Sequence, residues 1–167
     1  IALNFGYSWK VLQEGIVKSI GSAMGAIIIL LIIGSLTGTW LIGGIVPAMI
    51  YYGIQIMDPS IFLFASCIVS AIVASAIGSS WTTVATIGVA LITIGKAIGI
   101  PLEMTAGAII SGSYFGDKIS PLSDTTNLAS AMAEVDLIRH IKYMLFTTVP
   151  SIIISLVLFL VLGFKFS

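Results

Sequence analysis

The chain has 167 residues, 58% of them hydrophobic and only 8% charged, against about 25% charged in an average soluble domain. A soluble fold of this length cannot hide so much apolar surface in one core, so lipid and further protein must cover part of it. Seven basic residues balance seven acidic ones, which leaves no footprint for nucleic acid, and the one cysteine, Cys67, excludes an intrachain disulfide.

The sequence opens at Ile1 with no basic n-region and no small-residue cleavage site, so no signal peptide is expected and the chain reads as a fragment of a longer protein. Residues 4–18 mix polar and aromatic side chains and read as a connector or interfacial stretch leading into a helix. No charge occurs from Ser19 to Met57, a stretch long enough for two passes of about 20 residues each. The first helix is expected over residues 22–40, with Gly21 and Gly25 in a G-x-x-x-G pair that lets a second helix approach closely. Gly43 and Gly44 break the chain, and the next helix runs from about Pro47 to Met57. Trp40, Tyr51 and Tyr52 suit interfacial levels.

Asp58-Pro59 closes that pass, because the residue before a proline is pushed out of the α region. Helices are then expected over 61–77 and 83–98, with Cys67 a buried thiol in the first. Between them Gly78-Ser79-Ser80-Trp81-Thr82 carries no charge. Two helices meeting at an uncharged Gly/Ser/Thr tip are what a re-entrant hairpin needs, its unwound backbone lining a protein-covered cavity. An ordinary short loop at the membrane surface is the competing reading.

Residues 96–103 form a polar connector containing Pro101. Residues 104–115 are apolar but span only about 18 Å as a helix, too short to cross. They lead into Gly116-Asp117-Lys118-Ile119-Ser120-Pro121-Leu122-Ser123-Asp124-Thr125-Thr126-Asn127, and a weak helix follows over 128–133. The two apolar flanks are each about half a membrane long, so together with the polar stretch they read as one broken transmembrane helix. Residues 134–142 form an amphipathic stretch suited to the interface plane. The last span is expected over 143–164, kinked at Pro150.

A midplane break suits cation transport. The first half-helix ends in free carbonyls and the second begins with free amides. Oxygens of Ser120, Ser123, Thr125, Thr126 and Asn127 can replace the hydration shell of sodium. Asp117 or Asp124 supplies the charge and carries a proton when the ion is absent. A carboxylate held away from water grips its proton more tightly, so sodium and proton compete at one site. Two structural readings stand beside this one: Ser123 as a plain N-cap, and Asp117–Lys118 as a neutralised surface pair. His140 is the single histidine, so no zinc site is expected. No motif places it beside Ser79 or Ser80 for hydrolase chemistry, and no P-loop or Rossmann fingerprint occurs.

The run from Gly78 through Thr82, Thr83, Thr86 and Gly88 to Ala90, the run from Gly116 to Ala129, and the stretch from Gly34 to Tyr52, with Thr39-Trp40 and the run from Pro47 to Gly53, resemble the NhaC family of sodium/proton antiporters, which includes a malate/lactate antiporter. The resemblance covers essentially the whole chain and is to the N-terminal half of that family. It implies an all-α integral membrane transporter half, residues 1–167 forming one transmembrane region and one inverted repeat with a re-entrant hairpin and a broken helix. The hairpin tip, with Ser79, Ser80, Thr82 and Thr83, is the candidate substrate-binding element. Sodium and proton are the transported ligands, with no cofactor and no enzyme activity. Partners are the lipid bilayer, the C-terminal repeat of the same polypeptide and a second copy in a homodimer; the location is the cell membrane. Sodium/proton exchange is the first expected function. Sodium-coupled exchange of a small organic acid is the alternative, and a structural membrane subunit the third.

Overall fold

The computed structural model describes residues 6 and 8–165. Compact packing divides the chain between Leu36 and Thr37. Among the described residues all regular structure is α-helical. The first helix, α1 (Trp9–Ile42), has 34 residues, or about 51 Å by helical rise. It starts well before the 22–40 expected, because nothing in residues 9–21 breaks a helix. Gly21 faces open space, and the surroundings of Gly25 lie outside the described residues, as does the start of the expected connector at residues 4, 5 and 7.

Past the glycine pair, α2 (Ile45–Ile56) follows. Helix α3 (Pro59–Ile77) has both ends written in local chemistry. Asp58 caps it, its carboxylate accepting from the Ser60 N–H at 2.8 Å and the Ser60 hydroxyl at 2.6 Å, and Pro59 sits where a missing N–H costs nothing. Gly78, at φ +75°, ends it in the left-handed conformation. The return limb, expected as one helix over 83–98, is two: α4 (Ser80–Ala85) and α5 (Ile87–Ala97). They part at Thr86, whose hydroxyl bonds back to the Thr82 carbonyl at 2.7 Å, a local alternative to the helix ladder.

Helix α6 (Leu102–Ile119) runs four residues beyond the expected end and takes in Gly116, Asp117 and Lys118. The physical breaker is Pro121, which drives Ser120 to an extended conformation. Helix α7 (Asp124–Met132) is capped by Ser123, and α8 (Leu137–Gly163) by Asp136. The amphipathic 134–142 stretch is thus the first turns of α8 rather than a separate element, since no breaker stands between Lys142 and Tyr143. Pro150 lies inside α8.

Helices α3 and α8 are each long and apolar enough to cross a membrane. The tightest pairing is α3 on α6. A Cβ added at Gly112 would land on the Cys67 carbonyl oxygen, and one at Gly116 on the Ala71 carbonyl oxygen. The backbones therefore touch, as small residues allow in membranes, where lipid is as apolar as leucine and close packing replaces the hydrophobic drive. Successive turns match in the same sense, so α3 and α6 run parallel. Ser80 pairs with Asp117, and Gly88 lies against Ile109, so the α4–α5 limb runs antiparallel to α6. Phe62, Leu63, Cys67, Leu91, Ile94, Ala108, Ile109 and Ile152 form the core.

Candidate ion-binding site

Two interruptions of helix meet. Gly78, between α3 and α4, packs against the break between α6 and α7: a Cβ there would lie 2.6 Å from the Leu122 carbonyl carbon. Beside this contact the Ser80 hydroxyl donates to Oδ2 of Asp117 at 2.8 Å. Asp117 is only 6% exposed, and its Oδ1 is buried with no partner. Lys118, next in sequence, is exposed. The neutralised surface pair is therefore absent: Asp117 is not at the surface, and its free oxygen stays unpaired.

The break is stitched by its own side chains. The Ser120 hydroxyl donates to the Ser75 carbonyl in the last turn of α3 at 2.8 Å. Ser123 caps α7, accepting from the Thr126 N–H at 3.3 Å, and lies 3.0 Å from the Thr125 hydroxyl. Thr126 donates to the Lys118 carbonyl at 3.3 Å. The Asn127 amide donates to the carbonyls of Pro121 at 2.8 Å and Ser123 at 2.6 Å. Several carbonyls that a broken helix would turn towards an ion thus receive donors from the break itself. Ser120, Ser123 and Thr126 are buried, whereas Asp124, Thr125 and Asn127 are exposed. The Asp124 carboxylate accepts from the N–H of Thr125, its neighbour in sequence, at 2.7 Å.

On the other tip, Ser79 caps α4, accepting from the Thr82 N–H at 3.3 Å and lying 3.1 Å from the Thr82 hydroxyl. Thr83 is fully buried and donates to the Ser79 carbonyl at 2.9 Å. Of the residues singled out from sequence, the fold joins Asp117 to Ser80, with Ser120 and Thr83 buried nearby. It holds Asp124, Thr125 and Asn127 on the outside.

Three residues went unnoticed in the sequence. Ser66 and Ser70 on α3 and Ser113 on α6 are fully buried, and their hydroxyls have no partner. The available signal was spacing: Ser66/Ser70 and Ser113/Asp117 are both i, i+4 pairs that share a helix face. Chemically, a carboxylate withdrawn from water with one oxygen unpaired is costly as a bare anion. It is stabilised by a proton or by a cation.

The chain matches the model of the Na+/H+ antiporter family over residues 1–164. It is 49% identical over 166 residues to the malate-2H+/Na+-lactate antiporter of Bacillus subtilis, covering 99% of this chain and 36% of the relative. It is 46% identical over 162 residues to the Na+/H+ antiporter NhaC of the same organism, covering 97% and 36%. It is 48% identical over 160 residues to the arginine/ornithine antiporter ArcD of Halobacterium salinarum, covering 96% and 33%. The chain thus spans about a third of the length of the curated relatives it matches. No solved structure is significantly similar to it. Apolar on its outer faces and matched along nearly all its length, the chain belongs to the Na+/H+ antiporter family, a family of membrane transporters and not of enzymes.

Proposed function

We propose that this segment forms part of a secondary transporter that exchanges sodium for protons across the cell membrane, with Asp117 as the carboxylate that both ions share. The observation that carries the reading is the Asp117 side chain: 6% exposed, one oxygen held by Ser80, the other buried and free. Ionisable groups at membrane depth are costly and are kept where they do work. A buried carboxylate that must be neutralised, by sodium or by a proton but not by both at once, is the minimum device for obligatory exchange.

On this reading α3 and the α4–α5 limb are a re-entrant hairpin, α6 and α7 a broken transmembrane helix, and their tips the gate around Asp117. A second, inverted repeat in the rest of the polypeptide completes the site, and lipid covers the outer helices. The meeting of Gly78 with Leu122 supports this, because two helix interruptions packed on one another concentrate unwound backbone in one place.

The test uses the complete polypeptide that carries this segment, reconstituted in liposomes under an imposed sodium gradient with an internal pH dye. Sodium-driven pH change without any organic solute, lost in Asp117→Asn, is the expected outcome. Undiminished exchange in Asp117→Asn overturns the reading. A variant that misfolds but transports normally once folded points instead to a structural subunit. A second reading, sodium-coupled exchange of an organic solute, is supported by the relatives: the malate/lactate and arginine/ornithine antiporters are as similar to the chain as the Na+/H+ antiporter. Flux that appears only with malate, lactate or arginine added selects it.

A further inference from the structure

Membrane serines have a simple way to satisfy their hydroxyls: they donate to the carbonyl four residues back. In this protein Ser75, Ser151 and Ser155 all do so, at 2.8–3.0 Å. Ser66, Ser70 and Ser113 do not, although each is fully buried. Their helix faces turn towards one wedge. Ser113 is one turn before Asp117 on the same face of α6, the face turned towards α4 by the Ser80–Asp117 bond. Ser66 and Ser70 lie on α3 between the strip that meets α6 (Cys67, Ala71) and Phe62, whose ring lies against Gly95 of α5.

Levels along the wedge follow from the helix contacts. Gly112 sits beside Cys67 and Ala71, and Gly116 beside Ala71 and Ser75, so Ser70 is level with Ser113. The antiparallel limb pairs Ser80 with Asp117 and Gly88 with Ile109, which brings Thr83 to that same level. The Thr83 hydroxyl gives its proton to Ser79 and keeps its lone pairs. Ser66 is one turn further from Asp117.

We infer that Asp117 Oδ1, Ser113 Oγ, Ser70 Oγ and Thr83 Oγ1 form an inner coordination site for one dehydrated monovalent cation, sodium in this family, set in the α3–α4–α6 wedge and not in the Ser120–Asn127 break. This rests on Asp117 being the ion-binding carboxylate proposed above and names the ligands on its inner side. One carboxylate balances one positive charge, and neutral hydroxyl oxygens replace the hydration shell. No group of three His, Cys, Asp or Glu side chains that could hold a more highly charged metal occurs among the described residues.

The experiment measures the sodium KM of exchange in proteoliposomes for Ser113→Ala, Ser70→Ala and Ser66→Ala of the complete polypeptide, with Asp117→Asn alongside. The first two should raise KM about tenfold each, the loss of one ligand, at little change in maximal rate. Ser66→Ala, equally buried but a turn away, should stay within about twofold. Sodium-dependent thermal stabilisation in detergent gives a second readout that should weaken in the same two variants, and Ser113→Cys keeps the volume should alanine disturb folding. If the serines are merely structural, removing an unpaired hydroxyl leaves KM unchanged and stability equal or higher; that result overturns the inference. Exchange abolished in Asp117→Asn with both serine variants silent removes the inner site alone, whereas exchange retained in Asp117→Asn removes the carboxylate reading as well.

Discussion

The seam between α3 and α6 and the outer face of α8 reverse the arrangement of a water-soluble protein. The fully buried residues of α3 are Phe62 and Leu63 near its start and, beyond them, Ser66, Cys67, Ser70 and Ala74, small and partly polar. On α8, Phe146, Ile154, Val157, Leu158 and Val161 are exposed, large and apolar. Helix α3 buries residues along most of its length, from Phe62 to Ala74, whereas α8 buries only Ile141, Ile152 and Gly163, so α3 is the central helix and α8 the boundary. What holds α3 to α6 is backbone proximity, and buried hydroxyls of Ser66, Ser70 and Ser113 sit beside the apolar core of Phe62, Leu63 and Ile109.

The largest break in this comparison comes from adding a single carbon. Gly112→Ala puts a methyl onto the Cys67 carbonyl, whereas Gly107→Ala on the same helix meets nothing within 4 Å. Gly112→Ala should cost about 3 kcal/mol or more, since backbone cannot give way as a side chain can. Gly107→Ala should be neutral or stabilise by up to about 1 kcal/mol, through the lower entropy of the unfolded chain. Thermal unfolding in detergent measures both. Equal behaviour of the two variants would show that the helices do not pack at this distance.

The second contrast lies between the two aspartates flanking the break. Asp117→Asn should abolish sodium/proton exchange. Asp124→Asn should leave it within about twofold, since that side chain is exposed and serves only the first turn of α7, a helix-end effect of roughly 0.3–1 kcal/mol. Parallel pH-dye traces of the two variants decide it, and a reversal of the order would move the ion site out to the α7 end.

These two residues also mark how far the sequence could be read. The ends of α3 were legible because Asp58-Pro59 and Gly78 act locally; the expected 61–77 and the observed Pro59–Ile77 differ by two residues at one end. The polar run after residue 115 stood out because charge is rare in this chain. Within it, however, Asp117 and Asp124 look alike, and only the packing of α6 against α4 separates them. Gly116 read as the start of the break, yet it is a packing residue, and Pro121 does the breaking. Gly112 and Gly116 form the seam without standing out in the sequence, because a G-x-x-x-G spacing carries no information about which partner arrives. Buried serines are invisible for the same reason: a serine in an apolar run becomes informative only once its missing partner is seen.

A third test compares leucines. Leu63 is fully buried in the core, and Leu158 is 56% exposed on α8. Leu63→Ala should cost about 2–5 kcal/mol through the cavity it leaves. Leu158→Ala should cost less than about 1 kcal/mol, because lipid or detergent replaces the lost contacts. A large loss from Leu158→Ala would mean that α8 packs against more of the polypeptide on that side, and would redraw the boundary.

The smallest effect belongs to Asp58, outside the spans. The hydroxyl of Ser60 first, and its N–H second, hold the Asp58 carboxyl below its ordinary value of 3.8. A group whose folded-state value is lowered contributes stability above its unfolded value and loses it as pH falls through the folded one. Asp58→Ala should therefore unfold slightly earlier than wild type throughout the neutral range, with a constant gap above about pH 5. The gap should narrow below pH 3.8 as the carboxylate protonates. Melting curves across that range check the sign. A gap that widens in acid would mean that the cap works through the neutral acid, and that the start of α3 is held by something other than this charge.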